Sequence, residues 1–296
     1  MGLSSLLTID QLELARTFVY SNARLLDRKR YEFHFEAGSA EGVLNVLKMY
    51  QNVDGGFGNA LEPDIRTAGS QPIPTEMALL IMNEIGVFDK EIIEGIISYL
   101  SQITIPDTGG FPRALRSLNT DPHAPWWTTE EDHIASMNPT GSILGLLYKQ
   151  TVLTSFYKEP WFEQSLQFVW DSMTQINTTD YHDLVQCITF LENTPDRDQA
   201  APLVRWLDEQ LQQQGTIELD PAAEEYVHKV LDFAPLSSSY CRKWISPAIV
   251  TQHVIALTNE QQEDGGWPIR WAAISPGNEA EWRGSITVDR LLTLRE

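Results

Sequence analysis

Three observations predict an all-α fold. Apolar residues recur at three- and four-residue intervals along almost the whole chain. No stretch sustains the alternation of a half-buried strand, and no pair of β-type runs flanks an Asn-Gly turn. Gly-Gly pairs recur at a spacing near fifty residues, the length that two helices and their connections occupy in paired-helix repeats.

The elements follow in chain order. Residues 8–26 (TIDQLELARTFVYSNARLL) open with Thr8 and Gln11 at capping-box spacing and read as one helix. Residues 39–51, 74–86, 89–102, 138–150, 160–176, 181–193, 200–213 and 246–262 carry the same periodicity. Asp196-Arg197-Asp198-Gln199 reads as an N-cap with first-turn charge ahead of one of these helices. Gly55-Gly56 is followed by Gly109-Gly110 after 54 residues, and Gly265-Gly266 lies 156 residues further on, three steps of 52. One step back from the last pair falls near Gly215, and another falls in YKEPWFEQ, where the glycines are missing. With no linker-like stretch, residues 1–296 are expected to form a single domain of five or six helical hairpins, some degenerate.

The phrase around the glycines has a structural reading. A glycine just past a helix takes the left-handed conformation that closes the last turn. Asp54, Asp107 and Asp264 are placed to bond turn amides, and Phe57, Phe111 and Trp267 to fold back as apolar lids. The phrase is therefore read as a helix terminator and not as catalytic.

Composition narrows the partners. The net charge is −20, a surface that repels nucleic acid and anionic membrane. The N-terminal stretch lacks a basic region and reaches Asp10 after a short apolar run, so neither a signal peptide nor a membrane-inserted helix is expected. Leu6 breaks the myristoylation pattern begun by Gly2. Two cysteines, Cys187 and Cys241, give no disulfide framework, and a reducing cytoplasm is the expected compartment.

Gln51-x-x-x-Gly55-x-Phe57 and Gln261-x-x-x-Gly265-x-Trp267 resemble the end of the glutamine–tryptophan repeat of squalene and terpene cyclases. The hairpins are similar to those of protein prenyltransferase β-subunits. The copy at residues 105–111 has Ile105 at the Gln position. The resemblance implies an α/α toroid, an inner ring of helices within an outer one, with a small-molecule ligand in the central cavity. Several family motifs are missing. The chain has neither the Asp-x-Asp-Asp acid of class II cyclases nor the Asp-Asp-x-x-Asp metal box of ionising synthases. Cys241 and His253 are the nearest approach to a prenyltransferase zinc site, but no third ligand accompanies them. No metal site is expected, and nothing in the sequence assigns a cofactor or an oligomeric state.

In a toroid, the segments after equivalent turns emerge at one end. Here they are long, and they hold four of the nine tryptophans. The first contributes Glu62, Asp64, Arg66 and Gln71; the second Arg113, Trp126, Trp127 and the acidic run Glu130-Glu131-Asp132. The last contributes Arg270, Trp271, Glu281, Trp282 and Arg283. Asp64 is the candidate acid or base with Glu62 as its neighbour, because two carboxylates sharing a site split their pKa values. Arg66, Gln71, Arg113, Trp126, Trp127, Trp271, Trp282 and Arg283 are the candidate substrate-binding residues. Glu62 or Asp64 paired with Arg66, Glu281 paired with Arg283, and the acidic run as a solvated face are the plain structural alternatives. His34 reads as a packed side chain, while His123 and His133 border the acidic loop.

Three functions follow. The first is an enzyme of the terpene-cyclase or prenyltransferase type binding an isoprenoid, which tryptophan π faces would suit. The second is a carbohydrate-active lyase or hydrolase on the same kind of toroid, using tryptophan platforms and paired carboxylates. The third is a non-catalytic binding or scaffold protein.

Overall fold

The computed structural model describes residues 7–224 and 226–295; the reading of Gly2 and Leu6 lies outside them. Twelve α-helices follow one another among the described residues. The first six are α1 (Ile9–Asn22), α2 (Leu25–Phe35), α3 (Ala40–Leu47), α4 (Pro72–Glu84), α5 (Lys90–Ile103) and α6 (Met137–Lys149). The rest are α7 (Pro160–Ser172), α8 (Tyr181–Asn193), α9 (Arg197–Leu211), α10 (Val230–Phe233), α11 (Pro247–Asn259) and α12 (Pro276–Arg295). Strand structure is confined to a two-residue antiparallel ladder, β1 (Phe111–Pro112) with β2 (Ala135–Ser136), and a few isolated bridges. The fold is all-α, as the periodicity predicts. The Thr8–Gln11 capping box forms, and Asp196 caps α9 by accepting from the Gln199 amide at 3.0 Å.

Two expectations are corrected. The stretch 8–26 is not one helix: Asn22 turns its side-chain amide onto the Phe18 carbonyl, Ala23 is extended, and α2 starts afresh at Leu25. The segment after Trp267 is not a long loop, because α12 begins at Pro276. Ser275 caps it from the Asn278 amide at 3.1 Å, with proline at the first helical position, where its missing N–H costs nothing. The step that falls in YKEPWFEQ coincides with the start of α7 at Pro160, where the periodicity over residues 160–176 places a helix.

The chain divides into two compact units, residues 1–43 with 211–296 and residues 44–210. In the first, α12 packs on α1 and α2 through Ala15, Val19, Val288 and Leu291, all essentially excluded from solvent. Gly284 lets the α12 backbone close on Ala23, where a methyl would overlap. The buried Arg30 ties α2 to α12 through Ser285 at 3.1 Å and Asp289 at 2.6 Å, and is held within α2 by Asp27 at 3.1 Å. In the second unit, α6 packs between α4 and α8. Gly141 and Gly145, four residues apart on one face of α6, seat it against the α8 backbone at Gln186 and Thr189.

The repeated phrase builds one local module three times. Gly55, Gly109 and Gly265 all have positive φ, 91°, 69° and 93°, the region that glycine alone enters without strain. Each also presses its α-carbon onto the backbone of another helix, so that an added Cβ would overlap the carbonyl of Gly95 on α5, Gln164 on α7 and Leu14 on α1 respectively. The second glycine of each pair lies against an aromatic ring four residues further along that helix: Tyr99, Phe168 and Phe18. The aromatic that follows, Phe57, Phe111 or Trp267, is buried, and its amide donates to the hydroxyl of a buried threonine, Thr75 on α4, Thr140 on α6 or Thr287 on α12.

In two copies the glutamine amide bridges turn and helix. Gln51 donates to Gly55 and Ile92, and Gln261 to Gly265 and Gln11. Asp54 and Asp264 accept from Gly56 and Gly266, as the sequence suggests. Asp107 does not play this part; the Gly110 amide donates instead to Ser165 on α7 at 3.0 Å. Gly215 keeps a positive φ of 89°, but an added Cβ there would meet no atom within 4 Å, so this turn does not press on a neighbouring helix as the others do.

Candidate functional site

The second unit gathers polar side chains where α4, α6 and α8 begin. Glu76 stands in the second turn of α4, Asn138 and Ser142 in the first turns of α6, and Gln186 in the second turn of α8. Gln186 joins them: its amide nitrogen donates to Glu76 at 2.7 Å and lies 3.3 Å from the Asn138 oxygen, while its oxygen accepts the Ser142 amide at 2.6 Å. Gly141 meets Gln186 and Gly145 meets Thr189, so α6 and α8 run in the same direction, and the bond from Gln186 to Glu76 brings the start of α4 to theirs. Their leading loops, which carry the candidate residues of this unit, therefore gather at the same end.

Glu76 is nearly solvent-free, at 7% exposure, and no cation among the described residues pairs with it. Burial raises its pKa to about 7, with the bonds from Gln186 and Ser142 offsetting only part of that cost. Such a carboxyl exchanges its proton near neutrality, as a general acid or base must. Asp183 lies one turn before Gln186 on α8, and its pKa is also raised, by burial first and by the Asp180 charge second. Beside it, desolvation lowers the pKa of His182, and the Arg113 charge pushes in the same direction.

The two loops are tied together. Ile65 bridges to His123, the Arg66 amide donates to Pro122, and the Ala124 amide donates to the Asp64 carbonyl. Glu62 and Asp64 are buried within this packing, at 4% and 2% exposure, and Arg66 is half-buried. Both ends of the Gln71 side-chain amide are engaged: its oxygen accepts from the Leu115 amide at 2.8 Å and its nitrogen donates to Ser117 at 2.9 Å. It is a strut between the loops. His123 is held by the Asp121 carbonyl and Thr128, and the exposed His133 stands apart on the acidic run.

Arg113 follows directly on β1, so the β1–β2 ladder fixes its root beside the start of α6. Its guanidinium lies over the Trp127 ring, 4.9 Å from the centroid. Trp127 is buried and its indole N–H has no hydrogen-bond partner, whereas neighbouring Trp126 is 42% exposed.

The remaining candidates belong to the first unit. Trp271 and Trp282 meet edge to face at 5.2 Å, and both indole N–H groups are buried without a hydrogen-bond partner. Trp282, Glu281 and Arg283 lie on α12 rather than in a loop. Arg283 grips Asp264 through two bonds of 2.7 and 2.8 Å and covers the Phe18 ring, so it is part of the turn module. Arg270 is likewise committed, to Glu260 and Asp232. Cys241 is buried, and His253 bonds the Leu219 carbonyl. Among the described residues no three His, Cys, Asp or Glu side chains lie together as a metal site, and no helix is long and apolar enough to cross a membrane.

Sequence reasoning missed Glu76, Gln186, His182 and Asp183. Each lies inside a periodic helical stretch, where polar residues read as a solvated face. A signal for Glu76 existed: Thr75-Glu76 falls on the apolar stripe of α4, between Ile73 and Leu79. Comparison with known proteins returns no matching family model, no curated relative and no solved structure.

Proposed function

We propose that the chain is an α/α toroid enzyme, built as terpene cyclases and protein prenyltransferases are, that transfers protons on a small molecule bound where α4, α6 and α8 begin. The architecture is supported by twelve helices in sequence, enough for six hairpins, and by the docking of the last phrase. Gly265 and Gln261 engage α1 as Gly55 and Gln51 engage α5. A closed ring requires that relation between its last and first repeats.

One observation carries the enzymatic reading. In the three modules the residue after the buried threonine is Glu76, Gly141 and Val288. The scaffold accepts hydrogen or an isopropyl group at this position, so it does not require the carboxyl that α4 buries there. A local rule broken at the expense of stability marks function more often than structure.

The ligand class follows from the polarity of the node. Glu76, Gln186, Asn138, His182 and Asp183 make the node polar, which favours a sugar over an isoprenoid chain. Several carboxylates and one nearby guanidinium also disfavour a diphosphate. The test is turnover of a panel of neutral and acidic oligosaccharides, with farnesyl diphosphate as the competing substrate. Sugar cleavage lost in Glu76→Gln supports the reading; farnesyl diphosphate turnover in its place, or sugar cleavage that Glu76→Gln leaves intact, overturns it.

A further inference from the structure

We infer that Arg113, laid on Trp127, is the subsite for a carboxylate carried by the ligand. The inference rests on the sugar reading above and makes the substrate an acidic one. Acidic residues outnumber basic ones 41 to 21 in this chain, yet among the described residues no hydrogen bond or ion pair engages the Arg113 guanidinium. Arg30, Arg270 and Arg283 are all ion-paired, and Arg28, Arg197 and Arg295 bond backbone carbonyls instead.

The geometry suits a waiting cation. Stacking on a flat ring restrains the guanidinium while leaving its N–H edge free, and this preorganised fork matches the two oxygens of a carboxylate. Its root is fixed by the β1–β2 ladder, and the next residues by the bond from the Leu115 amide to Gln71. The Arg113 charge acts on His182 and Asp183 in the first turn of α8, a 13-residue helix whose start also favours an anion.

The acids nearby are otherwise disposed. Asp180 caps α8 by accepting the His182 amide at 2.8 Å. Burial moves Asp183 toward its neutral form. A single guanidinium among these groups fits one negative charge and not the several of a diphosphate. Trp127 adds a second observation: it is 9% exposed and carries a buried indole N–H with no partner, an uncompensated polar group under the cation.

The experiment is saturation-transfer NMR on the full chain with glucuronate, glucose and benzoate, in the wild type, Arg113→Gln and Arg113→Lys. Arg113 is exposed, so both variants are expected to fold, and circular dichroism checks this. The expected result is glucuronate binding in the wild type that weakens about tenfold in Arg113→Gln, with glucose unaffected and Arg113→Lys intermediate. Equal glucuronate signals in wild type and Arg113→Gln, or no binding of glucuronate or benzoate by either protein, overturn the subsite. Glucose binding without a glucuronate preference overturns it while leaving the sugar reading intact. Benzoate binding that needs Arg113, with no binding of either sugar, keeps the carboxylate subsite and sinks the sugar reading instead.

Discussion

The phrases at residues 51–57 and 261–267 fold into the same turn, yet their surroundings differ. In both, a glutamine amide spans the turn, a glycine with positive φ presses on a helix backbone, and a buried threonine on the following helix takes the aromatic amide. The copies part company one residue beyond that threonine, with Glu76 in one and Val288 in the other. They differ again beside the aspartate. Asp54 accepts from the Ser70 hydroxyl, whereas Asp264 binds the Arg283 guanidinium. What is shared is what the scaffold requires; what differs is free to serve something else.

The shared part should fail most severely when disturbed. Gly55→Ala drives a methyl into the Gly95 carbonyl and asks alanine to hold a positive φ, and Gly265→Ala does the same at Leu14. Each is expected to cost about 3–4 kcal/mol, measured as a lower urea midpoint. Similar losses would sharpen the equivalence of the two turns. A loss below about 1 kcal/mol at one of them would break it.

Glu76 is the next largest effect and belongs to one copy alone. Its folded pKa, about 7, lies above the 4.5 of an unperturbed glutamate, so the folded state keeps the proton longer than the unfolded chain. Stability is therefore full below the unfolded value and falls as pH rises through about 7. Glu76→Gln should remove this slope and gain up to roughly 3 kcal/mol over wild type on the alkaline side. Denaturant unfolding across the window checks it, and a slope that persists in the variant sinks the assignment.

Smaller and equal effects are expected from the glutamines. Gln51→Ala and Gln261→Ala each remove two bonds to backbone carbonyls, at 2.9 and 3.1 Å in one copy and 2.9 Å for both in the other. Each should cost about 1–2 kcal/mol. The third copy shows how the turn survives without one, since Ile105 replaces the glutamine while Ser165 binds the turn from α7.

These cases explain what the sequence makes legible. Helices announce themselves through a period, and the turns through glycines whose backbone needs are local, so both could be read from the chain. The partners of those glycines could not. Nothing near Gly265 in sequence points to Leu14 or Phe18, because that contact is made by tertiary packing. The candidate loops were legible as long and mixed in character, but Gln71 reads like any polar loop residue until Leu115 and Ser117 are seen to engage both ends of its amide. Glu76 was hidden for the opposite reason. A carboxylate in a helix is assigned to water by default, and only the neighbouring helices bury it.

The remaining difference between the copies is electrostatic and should be the smallest. Asp264 has its pKa lowered, first by the hydrogen bond from Arg283, so the pair adds stability above the ordinary aspartate pKa and loses it as pH falls through the depressed value. Its side chain is half-exposed, which lets solvent screen the pair. Asp264→Asn keeps an acceptor for the Gly266 amide while removing the charge, and is expected to cost about 0.5–1 kcal/mol at neutral pH. That cost should shrink in high salt and vanish in acid. Asp54→Asn faces a hydroxyl instead of a guanidinium, so its smaller effect should change little with salt. If the two substitutions respond to salt alike, Arg283 contributes through its cover of Phe18 rather than its charge, and the two turns are closer relatives than their partners suggest.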